Sequence, residues 1–327
     1  MTRELLLLRH GKSDWGVACD DFQRPLKDRG KRGAQRLGIW LQQQALMPDL
    51  VMTSPAERAL VTAQKCGKAM GLDARRLRQD QRIYLADRDE LLAVLADCPP
   101  EAQRVMLVGH NPGLEQLLEY LVAAPVAIPP DGKVMPTATL AQLQMPDDWQ
   151  RLQAGQARLL QLVRAKSLAE KFPFPTARGQ ELRDRPAYYY TQSAVIPYRI
   201  NQGQLEILII RSSSNKHWVV PKGIAEPGHS KQESAAKEAR EEAGIEGDVG
   251  AEALGDYRYA KWGASCSVSV YPMLVTRQLA DEEWEERHRG RQWVTANKAA
   301  ALLQQKALGP MVKALERQLS QRGLIAG

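Results

Sequence analysis

Residues 4–13 read Glu-Leu-Leu-Leu-Leu-Arg-His-Gly-Lys-Ser, and this stretch decides the fold class of the first half of the chain. An unbroken apolar run that stops at a cation, an imidazole and a glycine is typical of a buried strand that ends at a binding edge. Ligands of open α/β sheets bind beyond the carboxyl ends of the strands. We therefore predict that Arg9 and His10 belong to a binding site.

Two further apolar runs end in a similar way. Asp49–Thr53 leads into a helical pattern whose first turn carries Arg58, and Val105–Val108 leads into His110. Helical patterns separate the strands, so residues 1 to about 166 are predicted to form an α/β domain. The predicted strands are Glu4–Leu8, Leu50–Thr53, Val105–Val108 and Thr139–Leu143. The predicted helices are Gly30–Gln44, Pro55–Met70, Asp87–Leu95 and Leu114–Val122.

The residues at these strand ends suit the chemistry of a phosphoryl group. Positioned donors stabilise the negative charge on the oxygens of a phosphoryl group in transfer, and arginine binds phosphate in a bidentate manner. A histidine nitrogen that faces phosphorus in line can attack it and form a phosphohistidine. The alternative, that each histidine is only packed near a sheet edge, is disfavoured because three strand ends share the pattern.

The motifs resemble those of the histidine phosphatases, the phosphoglycerate-mutase-like superfamily. The resemblance rests on Arg9-His10-Gly11, Ser54–Arg58 and Val108–Gly113, and Leu8–Ser13 with Arg24-Pro25-Leu26 is similar to the SixA-type phosphohistidine phosphatases. It implies a three-layer α/β fold with His10 as the nucleophile. It also implies that the phosphate is held by Arg9, Arg58 and His110, with Arg24 as a further phosphate-binding residue.

Many members of that superfamily place an acidic proton donor after the third helix. The corresponding region here reads Ile83-Tyr84-Leu85-Ala86-Asp87, so Asp87 is the candidate for the general acid. If Asp87 does not serve as the acid, substrates with good leaving groups are favoured, such as phosphohistidine, because their leaving groups need little protonation.

The second informative stretch is Lys237–Ile245, which reads Lys-Glu-Ala-Arg-Glu-Glu-Ala-Gly-Ile. On a helix, predicted for Lys231–Ala243, Glu238, Glu241 and Glu242 share one face because they stand at i, i+3 and i+4. Carboxylate oxygens suit Mg²⁺, with Mn²⁺ as an alternative, so these glutamates are predicted metal ligands. The alternative is an ordinary solvated acidic helix face.

The stretch is similar to the Nudix box, which implies an α/β/α sandwich with a mixed sheet. Gly223 takes the place of the first glycine of the box, Glu238, Glu241 and Glu242 take those of the metal ligands, and Gly244 is predicted to end the helix. Two positions depart from the box. His229 stands where the first glutamate is usual, and Lys237 where arginine is usual. Their joint replacement leaves two possibilities open, namely mutual compensation or weaker metal binding.

Two other segments resemble the diphosphoinositol-polyphosphate branch of the Nudix enzymes, which hydrolyses diadenosine polyphosphates and pyrophosphorylated inositols. They are Trp218–Gly223 and Glu282–Trp293. Lys222 is a candidate for binding the polyphosphate, with Arg211 and Lys216 as further candidates, and the alternative is that each is only a surface cation. MutT-type enzymes that pair the two domains in the opposite order act on nucleotides, which points to a related substrate here.

The composition of the sequence changes around Lys171–Pro186, where prolines and a glycine indicate an exposed connector. We predict a SixA-like domain at 1–167, a linker at 168–187 and a Nudix domain at 188–327. In the last of these, strands at Tyr188–Arg199 and Leu205–Ile210 are predicted to form a hairpin. Two more strands and two helices are expected after the carboxylate helix.

Composition and charge indicate the class of protein and the kinds of partner to expect. The chain has 44% hydrophobic and 25% charged residues, which is typical of globular proteins. The net charge of +7 is spread over both halves with no basic arm, so a small polyphosphate substrate is favoured over nucleic acid. The four cysteines form no CxxC pair, and Leu5–Leu8 is too short for a signal peptide or a membrane span. We therefore expect a cytoplasmic protein without a membrane partner.

Two whole-protein hypotheses follow. The first is a bifunctional phosphohydrolase in which a metal-dependent Nudix domain cleaves pyrophosphate bonds and a histidine phosphatase domain acts through His10. The second is a phosphatase for phosphohistidine proteins whose Nudix domain only senses a nucleotide, because His229 and Lys237 depart from the box.

Overall fold

A computed structural model describes residues 3–325, and the ends of the predicted domains at residues 1–2 and 326–327 lie outside this range. The chain divides into two compact units between Phe172 and Pro173. Within residues 3–325, no helix has the length and apolar composition needed to span a membrane.

The first unit contains a six-stranded sheet in the order β3-β2-β4-β1-β5-β6. Its strands are β1 (Arg3–Arg9), β2 (Leu50–Thr53), β3 (Leu77–Gln79), β4 (Arg104–Gly109), β5 (Thr139–Met145) and β6 (Arg158–Arg164). The first four strands run parallel, and the last two are antiparallel to their neighbours. The helices are α1 (Asp28–Gln43), α2 (Glu57–Met70), α3 (Arg88–Ala96) and α4 (Gly113–Leu121).

Alternation along β1 buries its leucines in two separate cores, because successive side chains of a strand point to opposite faces. Leu6 and Leu8 pack in one core with residues of α1 and α2, such as Leu37 and Ala63. Leu5 and Leu7 pack in the other core with residues of α3 and α4. The predicted three-layer α/β fold is confirmed, and all four leucines are fully buried.

The second unit contains an eight-stranded mixed sheet. Its strands are β9 (Thr191–Asn201), β10 (Gln204–Arg211), β11 (Trp218–Val219), β12 (Lys222–Ile224), β13 (Ile245–Val249), β14 (Gly255–Lys261), β15 (Ala264–Gln278) and β16 (Arg291–Thr295). The helices are α5 (Lys231–Ala243), α6 (Ala296–Leu302) and α7 (Leu308–Gln321). β9 and β15 pair in parallel, and the other pairs in this sheet are antiparallel.

Helices cover both faces of this second sheet. The alanines of α5 pack with Val195 and Leu208 on one face. Residues of α6 and α7, such as Leu303 and Val312, pack with Ile207 on the other face. The predicted α/β/α sandwich with a mixed sheet is confirmed.

Two regions differ from the sequence-based expectation. The segment predicted as the linker contains a two-stranded sheet, β7 (Phe172–Thr176) and β8 (Gly179–Arg183), and Phe172 is buried. The prolines at alternate positions of β7 read as a connector, but proline is also tolerated in strands at a sheet edge. The region after α5 holds four strands, β13 to β16, where two were expected.

Candidate active sites

The first site lies where parallel strands of the first unit end together. Arg9, at the end of β1, pairs with Gly109, at the end of β4, and the His10 N–H donates to the Gly109 carbonyl at 3.2 Å. This register brings the rings of His10 and His110 to a centroid distance of 5.2 Å. The two histidines predicted from separate strand ends therefore lie side by side, and both are buried.

Glycine is required directly after His10 because the backbone meets the start of α1 there. A Cβ on Gly11 would lie 2.7 Å from the Gly30 carbonyl oxygen, and a Cβ on Gly30 would lie 2.4 Å from the Lys12 carbonyl oxygen. The Gly11 N–H also donates to Thr62 Oγ1 at 2.9 Å. The chain carrying His10 is thus fixed to both α1 and α2.

The hydrogen bond of His10 determines which ring nitrogen is free. Its Nδ1 lies 2.7 Å from the Gly11 carbonyl oxygen, and because a carbonyl can only accept, Nδ1 must carry the proton. In the neutral ring the lone pair then resides on Nε2, which is the arrangement that a nucleophile needs. Burial, together with the positive charges of nearby arginines, lowers the pKa of His10 to about 4, so the ring is neutral at pH 7.

His110 is held in a similar way. Its Nε2 lies 2.9 Å from the Ser54 hydroxyl, at the end of β2. Burial, followed by the neighbouring His10 and Arg58, lowers the pKa of His110 to about 3. The pair is therefore uncharged, and the positive charge of this site belongs to its arginines.

Three arginines surround the two histidines, and several of their donors have no partner. Within residues 3–325, Arg9 Nε, Arg58 Nε, and Nε and Nη1 of Arg24 are buried and unpaired, as is His110 Nδ1. Buried donors without acceptors are costly, so a cluster of them indicates a site made for an anion. The open space is a cavity of about 370 Å³ lined by Arg9, His10, Lys12, Ser13, Trp15, Asp21, Arg24, Arg58, Tyr84, Leu85, His110, Asn111 and Thr137.

The candidate general acid has another role. The Asp87 carboxylate caps α3, accepting from the backbone N–H groups of Asp89 and Glu90 at 2.9 and 3.0 Å, and it does not line the cavity described above. Asp21 and Tyr84 also line the cavity, and the sequence analysis did not predict either of them as a site residue. The Tyr84 hydroxyl donates to Asp21 Oδ2 at 3.0 Å. No periodicity marks either residue, because both lie outside regular strands and α-helices.

The neutrality of the two histidines makes a prediction about pH. We expect His10 to remain neutral until the pH falls through about 4, because its pKa lies well below the usual 6.5. The unfolded chain takes up these protons at a higher pH, so the free energy of unfolding should decrease as the pH falls from about 6.5 towards 4. NMR titration of the histidine signals, assigned with His10→Ala and His110→Ala, measures the pKa values of the two rings. Unfolding measured between pH 6.5 and 4 gives the change in the free energy of unfolding. Titration of both rings near 6.5 would contradict the arrangement.

The second site lies where β12 meets α5 in the second unit. Gly223 lies directly against Glu238, since a Cβ on Gly223 would come within 1.8 Å of the glutamate Oε1. The Lys222 N–H donates to Glu242 Oε2 at 3.0 Å. The helix begins at a Ser230 capping box and ends at Gly244 with a φ of 60°, as predicted for that glycine. β12 and the helix thus place glycine and carboxylates in contact.

The carboxylates of α5 repel one another and are only partly compensated. Burial, and then the charges of Glu242 and Glu241, raise the pKa of Glu238 to about 7. Burial also raises the pKa of Glu242, although Arg289 donates to its Oε1 at 2.6 Å. Ionised carboxylates on one helix face repel each other, and a bound divalent cation would neutralise this repulsion. Carboxylate oxygens are also the ligands that such cations prefer.

The carboxylates are not gathered around one point. Among residues 3–325, no group of three or more His, Cys, Asp or Glu side chains is arranged to hold a metal ion. Glu242 is bound by Arg289 and by the Lys222 N–H, and Glu241 lies 3.7 Å from Lys237 Nζ. The carboxylates are therefore suitable ligands for a metal cation. The side chains of Glu242 and Glu241, however, lie against the protein cations Arg289 and Lys237.

One of the two departures from the box, Lys237, pairs with a residue that the sequence analysis missed. Lys237 Nζ lies 3.2 Å from Glu226 Oε1, so an ion pair still joins the loop to the helix. The Glu226 N–H donates to Ser234 Oγ at 3.0 Å, which fixes the loop from its backbone as well. His229, at the usual glutamate position, lies 4.0 Å from Glu233 and is not part of this pair.

This arrangement predicts unequal effects of substitution in the loop. Glu226→Gln is expected to raise the metal concentration needed for half-maximal Nudix activity by about tenfold, because supporting residues affect metal affinity by that order. His229→Gln should change it little, since Lys237 already has its partner. Metal titrations of both variants provide the test, and Lys237→Arg, which keeps the charge, is the matched control. A larger effect of His229→Gln would mean that the histidine supports the junction.

A cavity of about 530 Å³ adjoins Glu242 in the second unit. Its lining includes three cations, two tyrosines and two glutamines: Lys222, Lys261, Arg289, Tyr257, Tyr259, Gln304 and Gln305. Lys222 Nζ lies 3.4 Å from the Tyr259 hydroxyl, and burial lowers the pKa of this lysine. Arg211 stacks on Trp218 at 4.0 Å, and neither Arg211 nor Lys216 is among the residues that line the cavity.

Comparisons with known proteins find a family for each half of the chain. The NUDIX domain family matches residues 190–315, and the histidine phosphatase superfamily (branch 1) matches residues 5–82. Nudix hydrolase 17, mitochondrial, from Arabidopsis thaliana is 32% identical over 145 residues, covering 38% of this chain and 75% of the relative. The uncharacterized protein Rv1276c of Mycobacterium tuberculosis is 30% identical over 158 residues, covering 47% of this chain and 96% of the relative.

This chain is also similar to a solved structure. It is titled as the protein histidine phosphatase SixA complexed with tungstate, and it has 20% identity and a TM-score of 0.43, covering 50% of this chain and 98% of its own. The two family matches define a hydrolase, since both families consist of hydrolytic enzymes. The chain belongs to the Nudix family, and residues 5–82, which precede its Nudix domain, match the histidine phosphatase superfamily. Nudix hydrolases generally use divalent metal ions.

Proposed function

We propose that the chain is a bifunctional phosphohydrolase, with domains at 1–167 and 188–327 joined by residues 168–187. The Nudix domain would cleave pyrophosphate bonds in nucleoside polyphosphates, dinucleoside polyphosphates or related diphosphates. The histidine phosphatase domain would remove phosphoryl groups from phosphomonoesters or from phosphohistidine. Each half rests on its own site, and neither half needs the other to be active.

The phosphatase half is carried by the unpaired buried donors around His10. The Nε atoms of Arg9, Arg24 and Arg58 and the Nη1 atom of Arg24 have no acceptor within the described chain, and a phosphoryl group would supply three. His10 Nε2 would bond to phosphorus while the bond to the leaving group breaks, and the leaving group keeps that electron pair. Water then breaks the P–N bond on His10 and releases inorganic phosphate. Asp87 does not line the cavity, and Asp21, which does, is bound by Arg24 and Arg58. Because neither acid is placed to protonate a leaving group, phosphohistidine is a well-matched substrate.

The Nudix half is carried by the three glutamates beside a cavity with cations and aromatic rings. Glu238, Glu241 and Glu242 would hold Mg²⁺ or Mn²⁺, which when bound polarises the phosphate and activates water. Lys222 and Arg289 line the same cavity and would bind the polyphosphate. The rings of Tyr257 and Tyr259 offer flat surfaces for a nucleobase, which favours nucleotides over inositol diphosphates as the small-molecule partner.

A second candidate function is favoured by the contacts of Glu242. Both carboxylate oxygens are bound by protein donors, Arg289 and the Lys222 N–H, as expected of a Nudix domain that binds nucleotides without cleaving them. The protein would then be a phosphatase for phosphohistidine proteins with a nucleotide-sensing domain. We retain the bifunctional enzyme as the main proposal, because Glu238 and Glu241 lack a buried cationic partner of this kind.

The proposal extends to location and partners. The four cysteines at positions 19, 66, 98 and 266 are free, which suits a reducing compartment, so we infer a cytoplasmic protein. We further infer that it works without nucleic acid or a membrane.

The deciding experiment is product analysis on the purified full chain. Nucleoside triphosphates, dinucleoside polyphosphates and diphosphoinositol phosphates would be incubated with Mg²⁺, with Mn²⁺ or with EDTA, and phosphoimidazole would be assayed in parallel. Pyrophosphate cleavage that EDTA abolishes, together with release of phosphate from phosphoimidazole, is expected. Nucleotide binding without cleavage under every metal condition would instead establish the sensing domain.

A further inference from the structure

Asp21 lines the phosphatase cavity from the loop between β1 and α1. It accepts from Arg58 twice, since Nη1 donates to its backbone carbonyl at 2.5 Å and Nη2 to its Oδ2 at 2.8 Å. Its Oδ1 accepts from Arg24 Nη2. With the Tyr84 hydroxyl on Oδ2, this one residue is bound to two of the predicted phosphate-binding arginines and to the aromatic ring beside His110.

The contacts divide each guanidinium into a used part and a free part. Asp21 occupies Nη1 and Nη2 of Arg58 and Nη2 of Arg24. The nitrogens left without a partner are Arg58 Nε and Arg24 Nε and Nη1, all of them buried. The acid therefore binds one edge of each arginine and leaves the other edge available to an anion.

The loop itself is anchored so that Asp21 can do this. Ser13 and Leu26 form a bridge at the base of the loop, and the Asp14 N–H donates to the Pro25 carbonyl at 2.8 Å. The Glu57 N–H, at the start of α2, donates to the Phe22 carbonyl at 2.9 Å. Phe22 packs edge-on against Tyr84 at a centroid distance of 5.0 Å. The contacts within the loop, the start of α2 and the ring of Tyr84 thus hold the loop beside the arginines.

We propose that Asp21 is a positioning residue that holds Arg58 and Arg24 with their free edges towards the transferred phosphoryl group. The inference rests on the proposed phosphatase function. Burial opposes ionisation of this acid, but Tyr84, Arg58 and Arg24 outweigh burial and lower its pKa. An ionised carboxylate cannot donate a proton to a leaving group, so Asp21 acts through the arginines. Its single negative charge also offsets one of the three arginine charges around the neutral histidines.

The test compares Asp21→Asn with wild type on substrates of different leaving-group quality. We expect kcat/KM to fall about 100-fold, a loss typical of misplaced catalytic groups, and to fall equally for p-nitrophenyl phosphate and phenyl phosphate. In an Arg58→Ala background the same substitution should cost less than tenfold, because the residue through which it acts is gone. Asp14→Asn, in the same loop but paired with Lys27 at 3.3 Å, is the matched control and should retain activity.

Three outcomes would overturn the proposal. A loss that grows as the leaving group becomes poorer would make Asp21 a proton donor. An undiminished loss in the Arg58→Ala background would show that it does not act through Arg58. A thermal midpoint far below that of wild type would show a role in folding.

Binding of inorganic phosphate, measured by calorimetry, keeps this inference separate from the proposed function. Asp21→Asn should bind phosphate more weakly than wild type if it positions the arginines, whereas tighter binding would show that only its charge matters and would overturn the proposal. A wild-type chain that binds phosphate but hydrolyses none of the phosphate substrates would end the proposed phosphatase function and leave the binding comparison to decide the role of Asp21.

Discussion

His10→Ala is expected to reduce phosphoryl release from phosphoimidazole and p-nitrophenyl phosphate by at least about 10⁴-fold, because no other group in the cavity can form the covalent intermediate. The neighbouring His110 is not expected to replace it, since its Nε2 accepts from the Ser54 hydroxyl at 2.9 Å and its unpaired Nδ1 then carries the proton. Metal-dependent cleavage of pyrophosphates by the same preparation should be unchanged, because His10 lies in the other unit. Steady-state phosphate release measures the first activity, and nucleotide product analysis measures the second.

Trapping the intermediate makes this prediction more direct. Wild type quenched in alkali during turnover of a ³²P-labelled substrate should retain the label as phosphohistidine, whereas His10→Ala should retain none. His217→Ala, which alters an exposed histidine of the second unit, is the matched control and should keep both label and activity. Label that persists in His10→Ala would exclude His10 as the nucleophile.

The second large effect is expected from Glu241→Gln in the Nudix domain. This change keeps the shape of the side chain and removes one carboxylate from the face shared with Glu238 and Glu242. Loss of a metal-activating charge contributes several kcal/mol to the barrier, so pyrophosphate cleavage should fall by about 10²–10³-fold. Phosphatase activity should not change. Initial rates over a range of Mg²⁺ and Mn²⁺ concentrations provide the measurement.

Glu246→Gln is the matched control for Glu241→Gln. Glu246 follows α5 directly, but it pairs with Arg240 at 3.0 Å on the exposed surface and does not line the cavity. Activity should therefore survive this change. If Glu241→Gln cleaves pyrophosphates as fast as wild type, Glu241 is not a ligand. If wild type shows no metal-dependent cleavage either, the sensing function explains the domain better.

Much of the fold follows from sequence patterns, for reasons that are local. The leucine run of β1 and the capping box and terminal glycine of α5 lie within single elements, so the chain's own periodicity and caps reveal them. The carboxyl edge of the first sheet could also be predicted, because parallel strands bring their ends together. β3 has three residues with one apolar side chain, and the apolar residues of β6 do not alternate with polar ones, so neither strand is recognised from its pattern.

The missed site residues depend on contacts between distant segments. Asp21 meets Tyr84 across 63 positions, and Arg289 meets Glu242 across 47. Glu226 pairs with Lys237 from a loop whose path depends on the packing of Gly223 against Glu238. Loop geometry of this kind is set by tertiary packing and leaves no periodic signal. The roles of the predicted site residues remain predictions until the variants above are measured.

The backbone contact between Gly11 and Gly30 has a consequence for how this domain can vary. A Cβ on Gly11 would meet the backbone of Gly30, and a Cβ on Gly30 would meet the backbone of Lys12. A second side-chain substitution cannot relieve either clash, because the atoms that would be displaced belong to the main chain. We therefore expect the segment that carries His10 to tolerate alanine at these two positions far less than the exposed loops around it do.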